Sequence, residues 1–68
     1  MRLETRLREY RQAKGLDQAE LAALVGVRRE TIGRLEKGQY NPSLKLAMDL
    51  AQVFGARVED LFAFREEE

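Results

Sequence analysis

The chain has 68 residues, 12 basic and 12 acidic, so its formal net charge is zero, and it contains neither cysteine nor histidine. That length holds one small domain, and the missing residue types exclude disulfides, thiolate nucleophiles, Cys/His zinc sites and histidine acid–base catalysis. No apolar run nears the roughly 20 residues of a membrane span, and the N-terminus lacks the continuous apolar stretch of a signal peptide, so a cytoplasmic domain is expected.

Glycine stands at 15, 26, 33, 38 and 55, and proline only at 42. All but one of these glycines separate periodic apolar segments, where helix ends belong. Leu3, Leu7 and Tyr10 keep helical spacing and predict a first helix over 2–14, stopped at Gly15. Asp17 opens a second helix: its carboxylate can accept from the Glu20 N–H while Glu20 reaches back, an acidic capping box. Leu21, Leu24 and Val25 form the apolar face, and Gly26 ends the helix. A third short helix follows at about 28–37, with Ile32 and Leu35 inward and Gly38 closing it. Asn41 is the expected N-cap of a fourth helix, with Pro42 at the first helical position, where no N–H is needed. Leu44, Ala47, Met48, Ala51 and Phe54 trace its apolar face up to Gly55. A last helix from about 58 carries Val58, Leu61, Phe62 and Phe64. Val, Ile and Thr are sparse and never alternate with polar residues, so no strand is expected. The fold class reads as all-α: five short helices in one domain over 1–68, with a frayed acidic tail at 65–68.

Residues 18–37 read QAELAALVGVRRETIGRLEK. Two short helices meet at a tight turn on Gly26, which can take the positive φ required there. Ala22 is small where the helices must cross, and Val27, Ile32 and Leu35 pin the second helix to a core. This is the helix-turn-helix arrangement. The landmarks are Gly15-Leu16, Gln18, Glu20-Leu21-Ala22, Gly26-Val27, Ile32, Leu35-Glu36, Gly38 and Asn41-Pro42-Ser43-Leu44, then Phe54-Gly55 and Leu61-Phe62. On these residues, spread over about 3–62, the chain resembles the phage-repressor and Cro-like helix-turn-helix family of XRE-type prokaryotic regulators.

The resemblance implies a sequence-specific transcriptional regulator of double-stranded DNA, a repressor by expectation, with no cofactor, no metal and no small-molecule substrate. Its second helix would lie across the DNA backbone and its third would enter the major groove. Arg28, Arg29, Glu30, Thr31 and Arg34 would then face the bases. Arginine bonds guanine O6 and N7 with both prongs of its fork, and a glutamate accepts from cytosine N4. Arg29 and Arg34 therefore lead the set, followed by Glu30. Thr31 suits a thymine methyl or a phosphate. Gln18, Lys37, Tyr40, Asn41 and Arg11 would meet phosphate, which sets register rather than sequence; Tyr40 could equally be half-buried packing. The resemblance also implies a largely buried ion pair between Arg11 and Glu36. Family members generally bind as two-fold dimers through the C-terminal helix, which points to Phe62, Phe64 and Val58 as a homodimer interface.

Two positions depart from the pattern. Arg28 and Arg57 stand where Ser or Thr usually caps a helix, and arginine neither caps nor suits the positive end of the dipole. Gly33 inside a helix costs up to about 1 kcal/mol relative to alanine. Two other functions compete. Glu30 and the zero net charge are compatible with a protein partner, as for an antitoxin or adaptor, whereas an enzyme is discounted because no catalytic constellation is present. The neutrality is itself uneven: residues 1–45 hold ten basic and six acidic residues, and residues 46–68 hold two and six. A basic DNA-facing side and an acidic rear are the expectation.

Overall fold

The computed structural model describes residues 2–66. In chain order the elements are β1 (Arg2–Thr5), α1 (Leu7–Ala13), α2 (Gln18–Val25), α3 (Arg29–Glu36), α4 (Leu44–Phe54), α5 (Val58–Leu61) and β2 (Phe62–Arg65). The helical part follows the sequence pattern, because each helix is too short to stand alone and forms by burying one apolar stripe. Leu7, Leu21, Ile32, Leu35, Leu50 and Leu61, one or two from each helix, are fully buried together. The Tyr10 and Phe54 rings pack beside this core with centroids 5.9 Å apart and planes at 56°.

Local chemistry sets the helix ends. The capping box at α2 is complete: the Glu20 N–H donates to Asp17 Oδ1 at 2.7 Å, and the Asp17 N–H donates to Glu20 Oε1 at 2.9 Å. Gly26 ends α2 in the left-handed conformation at φ 71°. No side chain caps α3 at Arg28. At Arg57 half a box survives, since its N–H donates to Asp60 Oδ2 at 2.9 Å while its guanidinium pairs with Glu59 at 3.1 Å. The expected cap of α4 moves by two residues: Ser43, not Asn41, accepts the Leu46 N–H at 3.1 Å, which puts Pro42 ahead of the helix.

The all-α expectation is corrected. β1 and β2 form a two-stranded antiparallel sheet, pairing Arg2 with Arg65, Leu3 with Phe64, Glu4 with Ala63 and Thr5 with Phe62. The first helix therefore starts at Leu7 rather than residue 2, and the last ends at Leu61, with the Leu61 carbonyl accepting the Arg6 N–H at 2.8 Å. Arg65, expected in the frayed tail, closes β2 and is paired with Glu4, whereas Glu67 and Glu68 lie outside the described residues. Three residues expected on apolar core faces point outward: Leu24 is 59%, Leu44 74% and Met48 56% exposed. The stripe that α4 buries is Leu46, Ala47, Leu50 and Ala51, offset from the expected one by part of a turn.

One glycine fixes where the sheet meets the helix-turn-helix. Gly38 follows α3 at φ 71°, and a Cβ built there would lie 2.7 Å from the Leu3 carbonyl oxygen. Only glycine both adopts that φ cheaply and lets β1 approach so closely.

Candidate nucleic-acid interface

Glu36, the last residue of α3, has a side chain with no exposure to solvent. A buried carboxylate is costly unless donors surround it. Arg11 of α1 supplies a fork, Nε to Oε2 at 2.6 Å and Nη2 to Oε1 at 3.2 Å. Gln18, the first residue of α2, donates from Nε2 to Oε1 at 3.0 Å, and Arg8 donates from Nε to the same oxygen at 3.4 Å. Burial pushes the Glu36 carboxyl up, but the hydrogen bonds from Arg11 and Gln18 and the Arg11 charge outweigh it, so the group sits below its ordinary value. The Arg11 guanidinium is raised, chiefly by its hydrogen bond to Glu36. One carboxylate thus ties three helices together.

The expected Arg11–Glu36 pair is present. A phosphate role for Arg11 is harder to support: the residue is buried, and its Nη1 already donates to the Leu16 carbonyl at 2.9 Å. One residue of this region escaped the sequence reading. Arg8 lies one turn before Arg11 on α1, a spacing that could have signalled a second cation on the same carboxylate. Gln39, in the turn expected to meet phosphate, lines a shallow groove with Gln18, Arg29, Glu30, Gly33, Arg34 and Lys37.

The outward face of α3 carries the expected base-reading set. Arg28, Arg29, Glu30 and Arg34 are exposed, and Thr31 is half-buried. Ile32 and Leu35 on the opposite face have no exposed surface, so the helix cannot roll without opening the core. Beyond its end Lys37, Tyr40 and Asn41 are exposed, with Tyr40 at 42%, and Gln18 is half-buried beside Gly33. Ion pairing sharpens the charge pattern. Arg2, Arg8, Arg11, Lys45, Arg57 and Arg65 each pair with a carboxylate. Among the described residues, Arg6, Lys14, Arg28, Arg29, Arg34 and Lys37 enter no ion pair; the first two flank α1, and the other four gather on α3 and its two ends.

The three residues expected at a dimer interface separate. Phe62 belongs to the protein's own core, Val58 is half-buried against that core, and only Phe64 is largely exposed, at 52%.

Known proteins share this architecture. A family model described as Helix-turn-helix matches residues 7–61. An uncharacterized HTH-type transcriptional regulator of Archaeoglobus fulgidus is 62% identical over 66 residues, spanning 97% of this chain and 94% of the relative. The HTH-type transcriptional regulator MJ0272 of Methanocaldococcus jannaschii is 44% identical over 66 residues, 97% of this chain and all of the relative. Among solved structures, the restriction-modification controller protein C.AhdI from Aeromonas hydrophila superposes with a TM-score of 0.74 at 44% identity, covering 81% of this chain and 83% of that one.

Proposed function

This chain belongs to the helix-turn-helix family, and from that premise we propose that it is a transcriptional regulator that binds double-stranded DNA sequence-specifically. Family and relatives point to a regulator rather than an enzyme. In this reading α3 enters the major groove and α2 crosses the backbone. Arg29 and Arg34 read guanine edges, Glu30 accepts from cytosine, and Arg28 and Thr31 border the reading surface. Gln18, Lys37, Tyr40 and Asn41 contact phosphate and hold register. Arg11 acts through Glu36, bracing α3, more than by touching DNA itself. The protein acts as a repressor, binding a near-palindromic site as a homodimer, its two recognition helices about 34 Å apart.

The observation that carries this reading is the combination on α3. Its inner face is locked by Ile32, Leu35 and the buried Glu36 cluster, while its outer face and two ends hold four cations with no carboxylate partner among the described residues. Fixed donors on a rigid helix are what base-edge recognition requires.

Selection of bound sequences from a random duplex pool tests the proposal. One two-fold related motif should be enriched. A pool with no enriched sequence would contradict it and favour the protein-binding alternative.

A further inference from the structure

Gly33 is the one glycine that lies inside a helix, within α3 between Ile32 and Arg34. The other glycines stand beyond helix ends with a positive φ, a conformation that suits them, whereas the Gly33 backbone is helical. A Cβ built at Gly33 would meet only the Gln18 amide, 3.8 Å from Nε2 and 3.9 Å from Oε1, which are ordinary contact distances. Glycine is less favourable than alanine inside a helix, so the fold itself gains nothing from the missing methyl. The other use of glycine is to let a ligand come close to the backbone.

The surroundings show which ligand. Gly33 lines a shallow groove with Gln18, Arg29, Glu30, Arg34, Lys37 and Gln39. Arg29, Arg34 and Lys37 are exposed and enter no ion pair among the described residues, and they outnumber the single carboxylate, Glu30. The groove therefore selects an anion. Beside Gly33 lies the half-buried Gln18 amide, whose orientation is fixed from behind. An ionised carboxylate only accepts, so Gln18 turns its NH2 group to Glu36, with Nε2 at 3.0 Å from Oε1. One N–H is used there, and among the described residues the second has no acceptor.

We infer that Gly33 is a DNA-contact position. The missing side chain lets a backbone phosphate settle against α3, where an oxygen accepts the second N–H of Gln18 in the field of Arg29, Arg34 and Lys37. A methyl group at position 33 crowds that approach from the side of the amide that the groove opens. Such a contact holds the protein on the duplex without reading sequence. The inference rests on the DNA reading proposed above and adds to it a residue that has no side chain to contribute.

Gly33→Ala in the full chain tests it. Fluorescence anisotropy at one fixed salt concentration is measured on the selected duplex and on a duplex of unrelated sequence, with urea unfolding alongside. The urea midpoint should rise while affinity falls about tenfold on both duplexes, the effect of one lost hydrogen bond to a charged group. A merely structural role would move stability and affinity in the same direction. In a Gln18→Ala background the same substitution should cost little further affinity, because the amide it screens is gone. Equal affinity of the native chain and Gly33→Ala for the selected duplex would overturn the inference and leave the DNA reading intact. A loss confined to the selected duplex would overturn the phosphate assignment, since it would put a base edge against Gly33. An undiminished loss in the Gln18→Ala background would overturn the part given to Gln18. A native chain that binds no duplex would overturn both the inference and the reading beneath it.

Discussion

Gln18 donates to Glu36 across 3.0 Å, so the first residue of α2 holds the last residue of α3. The same carboxylate oxygen takes Nη2 of Arg11, which adds α1 to the junction. The angle between the two helices of the motif therefore depends on one buried anion as well as on the apolar contacts around Leu21 and Ile32. Gln18→Ala should cost about 1.5 kcal/mol in urea unfolding, the low end for a hydrogen bond to a charged group. Gln18→Glu should cost more, because it sets a second carboxylate against the first.

Breaking the ion pair should be far more damaging than losing Gln18. Arg11→Met strands the Glu36 charge, and a loss of about 3–5 kcal/mol is expected. Replacing both partners with apolar residues should recover most of that loss, since the desolvation penalty leaves with the charges. A double-mutant cycle on the unfolding free energy checks the coupling.

The depressed Glu36 value gives the protein an acid limit. A carboxyl held below its ordinary value when folded contributes stability that is whole above the unfolded value, about 4.3, and is lost as pH falls through the lower folded value. Thermal unfolding followed from pH 6 to pH 2 should show that loss. In Glu36→Gln the slope over this window should be shallower, with the remainder coming from other carboxylates.

Two glycines of the motif region should respond in opposite directions. Gly33→Ala places a Cβ 3.8 Å from Gln18 Nε2, an ordinary contact, and should stabilise by up to about 1 kcal/mol. Gly38→Ala meets both the left-handed backbone and the Leu3 carbonyl, and should destabilise by more than about 2 kcal/mol. Chemical denaturation of the two variants reads the signs directly.

The two arginines at helix starts separate stability from binding. Arg57→Ser and Arg28→Ser should each gain about 1 kcal/mol by supplying the missing cap. Arg57→Ser should leave DNA affinity unchanged. Arg28→Ser should weaken DNA binding, because it removes a cation that borders the reading surface. Fluorescence anisotropy over a salt series measures both.

Much of the helical scaffold was legible because its signals are local. Asp17 and Glu20 sit three apart and form the box they suggested, and Gly26 takes the left-handed turn its position demanded. The sheet was not legible. Its strands are four residues long, only Leu3 is buried in β1, and its partner Phe64 lies 61 positions away. Over so short a span Leu3 and Leu7 fit a helix equally well. The phase of α4 failed for a related reason: Leu44 and Met48 form as good an apolar row as Leu46 and Leu50, and only packing chooses between them. Within the site, the charges on α3 could be read directly and the resemblance implied the buried Arg11–Glu36 pair, whereas the third donor to that carboxylate, Arg8, emerges only when α1 is packed on α3.

The central claim is that α3 reads DNA bases from a locked position. The most direct measurement is the affinity of Arg29→Ala for the selected duplex and for each single base-pair variant of it, at fixed salt, with unfolding measured in parallel. The account predicts a loss of about 1–3 kcal/mol on the selected site, a flattened preference at one base pair per half-site, and unchanged stability. Equal affinity of the native protein and Arg29→Ala for every duplex would contradict it.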